Sequence, residues 1–327
     1  MADLQNARPV VGIDLGGTKI LVGVVAPDYS VLGRSKRSTP ADAGGPAILE
    51  AIVEGIDQAL AEAGLNRSEI DGIGIGSPGP IDSTTGVIRF SANMNVKDWP
   101  LGADLAAAIG RPTLLQNDVR VGSYGEFRLG AGRGYKNVLT AFVGTGIGGC
   151  LILDGKVFEG ATGNAGEIGH IIVKANGPEC GCGRFGCLEA VASRRAIARR
   201  IRKAAKNGET SVLAHKVEKK SGKIKSGELA AAVAAGDVVA CREVERAATF
   251  LGQALGGLVN LIGPEIIVIG GGVTAALGPM YLDQVRAAAR HQILVDPNET
   301  IKIEPAALGD DAGILGASLL AMEKFSH

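Results

Sequence analysis

An excess of charge of either sign is missing from this chain. Its 34 Lys and Arg balance 34 Asp and Glu over 327 residues. A nucleic-acid binder usually shows a basic excess, so no nucleic-acid partner is expected. No apolar run reaches the ~20 residues needed to cross a bilayer, so no membrane partner is expected either. The opening stretch, MADLQNARPVVG, lacks a basic region followed by an apolar core, and so is not a secretory leader. The cytoplasm is the expected location. Cysteine is scarce, at five residues. Thiols stay reduced in that compartment, which favours metal binding or catalysis over disulfides. Glycine is abundant, at 49 residues, but follows no period, which excludes collagen.

What remains describes a globular chain. Hydrophobic residues make up 46% of it, and its length suggests about two domains. The segment Val10 to Ser38 reads as three strands, Val10 to Asp14, Lys19 to Val25 and Val31 to Lys36, separated by Gly16-Gly17 and Pro27-Asp28. A helix follows, with Pro46 in its first turn, Ile48, Leu49, Ile52, Val53, Ile56 and Leu60 at helical spacing, and Gly64 at its end. Asp71 to Gly76 and Thr113 to Gln116 read as strands, and Leu101 to Ile109 as a short helix. The second half repeats this order. Asn137 to Val143 and Cys150 to Leu153 are strands, with Ile171 to Lys174 as a third. Helices are expected over Glu189 to Lys206, Val238 to Ile262 with Asp237 as cap, and Ala312 to Phe325. Glu265 to Ile269 is a strand. The pattern predicts a duplicated α/β fold with a cleft between two lobes, and closure on a ligand. Lys216 to Lys225 reads as a solvated loop. The arginine-rich face around Arg194 to Arg202 reads as solvated or as an interface. Cys150 and Cys241 read as small buried apolar residues.

Three glycine clusters each end a strand. DLGGTK, from Asp14 to Lys19, lacks the spacing of a Walker A loop. Gly16 and Gly17 let backbone N–H groups converge on a phosphate, Thr18 adds a hydroxyl, Lys19 adds a cation, and Asp14 suits hydrated Mg²⁺. GTGIGG begins with Gly144, Thr145 and Gly146, a second such turn with Thr145 as hydroxyl donor. Gly270, Gly271 and Gly272 suit close approach of adenine and ribose. Asn117-Asp118 follows a strand end, where α/β proteins place ligands. An aspartate there suits a general base that takes a hydroxyl proton during phosphoryl transfer, or else a helix cap.

The scarce cysteines are crowded into CGCGRFGCLE. Cys180, Cys182 and Cys187, with His170 from GEIGH, form a Cys₃His set that suits a closed structural Zn²⁺ site. Such an ion pins the loop carrying Glu167 to the segment carrying Glu189. Glu167, His170 and Glu189 then suit the vicinal hydroxyls of a neutral polyhydroxy ligand.

DLGGTK, SPGP at Ser77 to Pro80, Asn93, QND at Gln116 to Asp118, GTGIGG, GEIGH, CGCGRFGCLE and the late GGG occur in the order of the ROK family, which the chain resembles from about Val10 to Ala321. That resemblance implies an actin-like ATPase (ribonuclease H-like) α/β fold and ATP-dependent phosphorylation of a hexose. It implies sugar contacts at Asn93, Asn117, Asp118, Glu167, His170 and Glu189, with Asp118 as base, and zinc at His170, Cys180, Cys182 and Cys187. It also implies a homodimer or homotetramer. The implied division is residues 1–118, completed by 312–327, and residues 119–311. Glucose, phosphorylated at its 6-hydroxyl, is the expected substrate. N-acetylglucosamine or N-acetylmannosamine is the alternative, and a non-catalytic sugar-sensing regulator a remote one. Family repressors carry a DNA-binding domain before the core, whereas nine residues precede the first strand here.

Overall fold

The structure is a computed structural model describing residues 8–218, 223–296 and 300–326. In chain order the elements are β1 (Val10–Leu15), β2 (Lys19–Val25), β3 (Val31–Ser38), α1 (Gly45–Ala63), β4 (Ile73–Ser77), β5 (Ile81–Asp82), β6 (Val87–Ser91), β7 (Val96–Trp99), α2 (Leu101–Ile109), β8 (Thr113–Asn117) and α3 (Asp118–Arg128). They continue with β9 (Val138–Val143), β10 (Ile147–Leu153), β11 (Lys156–Val157), α4 (Leu188–Ala192), α5 (Arg194–Lys206), α6 (Ala214–Glu218), α7 (Ser226–Ala234), α8 (Val238–Ile262), β12 (Ile266–Gly270), α9 (Gly272–Arg290), β13 (Lys302–Pro305) and α10 (Asp311–Phe325).

Two compact units result. One comprises Met1–Gly130 with Asp310–His327, and the other Ala131–Gly309. The first unit extends past Asp118 because α3 packs on α10, and it regains the chain at Asp310, just before α10. Each unit holds a five-stranded sheet, ordered β3-β2-β1-β4-β8 in the first and β11-β10-β9-β12-β13 in the second. In both, a hairpin strand runs antiparallel to the central strand, and two further strands run parallel to it. The duplication read in the sequence is therefore topological. A small sheet, β5-β6-β7, is added to the first unit.

Burial explains the strands. β1 and β2 are apolar because helices and neighbouring strands cover them, whereas edge strand β3 alternates and exposes Leu32, Arg34 and Lys36. α1 begins with Pro46 in its first turn and ends at Gly64, whose left-handed backbone (φ 69°) suits the cap. In the first unit α10 lies on the sheet with almost no gap. A Cβ at Gly74 would overlap the Ala317 carbonyl and sit 2.7 Å from its carbon. One at Gly12 would overlap the Ile314 carbonyl.

Four expectations need correction. Ile171 to Lys174 is not a strand. Ile172 forms one isolated bridge with Cys187, and the third strand of that hairpin sheet is β11. The helix expected over Glu189 to Lys206 is two helices, because Ser193 takes an extended backbone and its side chain caps α5 through the Ala196 N–H. The strand expected at Cys150 begins at Ile147, so GTGIGG is a shorter turn than its glycines suggest. The chain over Lys216 to Lys225 is partly helical, through α6, and Lys216 donates to Glu228 at 2.6 Å; residues 219–222 of that stretch lie outside the described residues. Among the described residues, no helix is long and apolar enough to cross a membrane.

Candidate active site

In the first unit the DLGGTK turn is a closed hairpin. The Gly16 N–H donates to the Lys19 carbonyl at 2.9 Å, and the Thr39 hydroxyl donates to the Gly16 carbonyl at 2.6 Å. Asn93 packs on this turn, since a Cβ at Gly17 would meet the Asn93 Cβ at 3.0 Å. Asp14 is half-buried. Burial raises its carboxyl above the ordinary range, the Lys19 ammonium opposes that, and Asp310 adds to it. Lys19 pairs with Asp310 at 3.2 Å, just before α10. The first turn of α10 closes over Asp14, because a Cβ at Gly313 would stand 2.8 Å from the Asp14 Cβ. One small region thus gathers Asp14, Gly16, Gly17, Thr18, Lys19 and Asn93.

Asn117 and Asp118 stand where β8 passes into α3. The cap is Asn117, whose Oδ1 accepts from the Val119 and Arg120 N–H groups at 3.0 and 3.2 Å. Its Nδ2 group is the donor it can offer a ligand. Asp118 is the first helical residue, and its Oδ1 accepts from the Val119 N–H at 2.9 Å. A carboxylate at a helix N-terminus is held by the backbone dipole. Capping therefore falls to Asn117, and the Asp118 carboxylate is presented at the carboxyl end of the strand.

In the second unit the two glycine turns lie side by side. A Cβ at Gly271 would stand 2.6 Å from the Val143 nitrogen, so the Gly270 to Gly272 turn presses on the strand end that leads into Gly144. Arg194 joins them. Its backbone N–H donates to the Gly144 carbonyl at 3.0 Å, and its guanidinium donates to the Thr145 hydroxyl at 2.6 Å and the Ser226 hydroxyl at 2.9 Å. The arginines of α5 are therefore not a plain solvated face. Arg199 donates to the Ala190 carbonyl, and Arg200 pairs with the buried Glu243 at 2.6 Å.

GEIGH winds into a single 3₁₀ turn, Ile168–His170, in which the His170 N–H donates to the Glu167 carbonyl at 3.0 Å. The segment after it is stitched to the cysteine loop, with Val173 N–H donating to Gly186 and Leu188 N–H to Ile171. One ligand atom from each of His170, Cys180, Cys182 and Cys187 lies within 4.8 Å of all the others. Cys180 Sγ is 3.7 Å from His170 Nδ1, and Cys182 Sγ is 3.7 Å from Cys187 Sγ. A tetrahedron with metal–sulfur bonds of ~2.3 Å has edges of about 3.8 Å, so the four side chains fit one tetrahedral ion. Burial pushes the Cys180 thiol up to about 12 and raises Cys187. Hydrogen bonding from the Arg184 backbone holds Cys182 down at about 6. Cys180 also places Glu189 beside the cluster, 3.9 Å from its Oε1, while Glu189 Oε2 accepts from the Ile147 N–H at 3.0 Å. Of the remaining thiols, Cys150 is buried and Cys241 half-buried.

The sequence placed Arg194 on a solvated or interface face and assigned Ser226 no role, because neither belongs to a glycine turn. Only their hydrogen bonds reveal them.

The paired sheets and their glycine turns define an actin-like ATPase fold. Solved structures with the same architecture include a ROK hexokinase from Thermus thermophilus (TM-score 0.81, 37% identity, covering 97% of this chain and 98% of that one). Another is a ROK family glucokinase from Streptomyces griseus, in complex with glucose and AMPPNP (TM-score 0.81, 32% identity, covering 96% and 99%). A glucokinase of Thermotoga maritima is 36% identical over 318 residues, 96% of this chain and 98% of that protein. The ROK family model matches residues 10–324. The chain belongs to the ROK family.

Proposed function

We propose that this protein is an ATP-dependent hexokinase that phosphorylates the 6-hydroxyl of glucose. The observation that carries the reading is Asp118, a carboxylate at the β8–α3 junction in the unit that also holds the Asp14–Lys19 turn. Asp118 takes the proton of the sugar hydroxyl as its oxygen bonds to the γ-phosphorus. The bond from that phosphorus to the bridging oxygen breaks, and ADP leaves with the electron pair. Lys19 and the turns at Gly16-Gly17 and Gly144 to Gly146 offer N–H donors and positive charge to the transferring group. Gly270 to Gly272 receive the adenosine. Mg²⁺ enters with the nucleotide as part of the substrate complex, beside Asp14.

Asn93, Asn117, Glu167, His170 and Glu189 hold the sugar through its hydroxyls. His170, Cys180, Cys182 and Cys187 are the ligands for Zn²⁺, which when bound cross-links the cysteine loop and leaves no position open for chemistry. With Nδ1 of His170 turned to the thiols, Nε2 is free to donate to a sugar oxygen. Reduced thiols suit a cytoplasmic enzyme, acting as a homodimer or homotetramer.

The test is ADP release with Mg-ATP across glucose, mannose, fructose, N-acetylglucosamine and N-acetylmannosamine, compared by kcat/KM. Glucose is expected to lead. A lead for an acetamido sugar overturns the choice of sugar. Absence of turnover on all five overturns the kinase.

A further inference from the structure

We propose that Arg194 is a phosphate-binding residue of the nucleotide site, contributing charge to the polyphosphate and aiming the Thr145 hydroxyl at it. The inference rests on the ATP-dependent reading above and names a residue that reading did not include.

Arg194 opens α5 directly after its cap, Ser193, and is half-buried. Its guanidinium spans from Thr145 Oγ1 at 2.6 Å to Ser226 Oγ at 2.9 Å. Ser226 in turn lies against the third glycine cluster, since a Cβ at Gly272 would stand 3.3 Å from its Oγ. One side chain thus runs from the second glycine turn to the third. These are the two turns that the reading above assigns to the nucleotide.

The chemistry of the bridge is incomplete as it stands. A guanidinium carries five N–H donors, and two are spent on neutral hydroxyls. Among the described residues no carboxylate pairs with Arg194, and burial lowers its pKa without an opposing acidic partner. A cation withdrawn from water without a counter-charge is costly, and a bound anion removes that cost. The planar fork matches phosphate oxygens, which accept two parallel N–H bonds. Thr145 is also oriented by this contact. Its oxygen accepts from Arg194, so its own proton is free to donate outward. A solvent-facing arginine would need neither hydroxyl, and Arg199, which serves the backbone, donates to a carbonyl and bridges no such pair among the described residues.

The experiment is calorimetric titration of ADP and adenosine into wild type and R194M, with KM for ATP and for the sugar measured alongside. Charge-assisted hydrogen bonds of the usual strength predict that R194M weakens ADP and raises KM for ATP by about 10- to 100-fold. Adenosine affinity and sugar KM are expected to stay within about twofold. R194K retains charge but not the fork, and is expected to fall between the two; it also serves if R194M folds poorly. Equal ADP affinity in wild type and both variants overturns the inference and leaves the kinase standing. Equal weakening of ADP and adenosine also overturns it, because the bridge is then only structural. A wild type that binds no ADP overturns both.

Discussion

Replacing Gly74 by Ala tests the seating of α10. Gly74 lies in the middle of β4, and its added Cβ would overlap the Ala317 carbonyl and stand 2.7 Å from the carbonyl carbon. Ordinary carbon contact begins at ~3.5 Å, so relieving the carbonyl carbon alone requires α10 to retreat by at least roughly 0.8 Å, and the closer oxygen requires more. Both contacting groups are backbone, so no rotamer change relieves the overlap. Sideways relief is limited as well, because α3 packs beside α10 on the same face of the sheet and a Cβ on Gly316 would overlap the Val121 carbonyl. Overpacking typically costs 1–3 kcal/mol, and with so little relief the upper end applies, about 3 kcal/mol. For a unit of this size that lowers Tm by about 6–12 °C. Scanning calorimetry reads it, with G257A as control. Gly257 is exposed on α8 with nothing within 4 Å of a Cβ, so alanine there gains about 0.5–1 kcal/mol of helix propensity. A G74A melting shift under about 2 °C would refute the tight seating of α10. A functional cost follows as well, because Gly313 and Asp310 carry α10 to Asp14 and Lys19; KM for ATP is expected to rise in G74A.

Asp118→Asn is expected to keep the fold and lower kcat by ~10²-fold or more, and turnover near that of wild type removes Asp118 from the base role. Cys182→Ala is expected to lose zinc, measured by metal analysis, and to raise the sugar KM together with it; metal loss with an unchanged KM would show that the cysteine loop does not position the sugar contacts. Asp237 caps α8. Burial alone would raise its carboxyl, but hydrogen bonds from the Ala240 N–H, the Ser211 hydroxyl and the Val212 N–H together hold it below the usual range. A depressed carboxyl stabilises the fold above its unfolded pKa of ~3.9 and loses that contribution as pH falls through the lower folded value. D237A is therefore expected to cost about 1 kcal/mol at pH 7. In urea unfolding its deficit should shrink below about pH 4. A deficit that stays constant down to pH 3 would mean the ionised form is not what caps the helix.

Much of the fold was legible in the residues themselves. Lys19 to Val25, Leu101 to Ile109 and Val238 to Ile262 carry clean periodicity between strong turn or cap signals, and the structure places those elements at the same bounds. Other elements carry weak local signals. The strands β5, β6 and β7 are short, and Phe90 and Lys97 alternate outward without a sustained apolar run. α9 bends at Gly278-Pro279, so its sequence reads as punctuation. Ser193 caps a second helix, yet the apolar spacing continues across it, so periodicity alone merges α4 with α5.

The site divides in the same way. Sequence by itself determined which candidate groups are present, because glycine turns, a strand-end aspartate and a Cys₃His set are local patterns whose residue types limit what they can bind. It also determined the duplication, since both halves repeat the order of hairpin, helix and strand. Only the tertiary structure decided which groups meet. Glu189 reaches the hairpin at Ile147, Cys180 stands by both His170 and Glu189, and Arg194 ties Thr145, 49 residues before it, to Ser226, 32 residues after it. The physical reason is range. Turn chemistry and periodicity are written within a few residues, whereas a hydrogen bond between distant segments exists only once packing has fixed both ends.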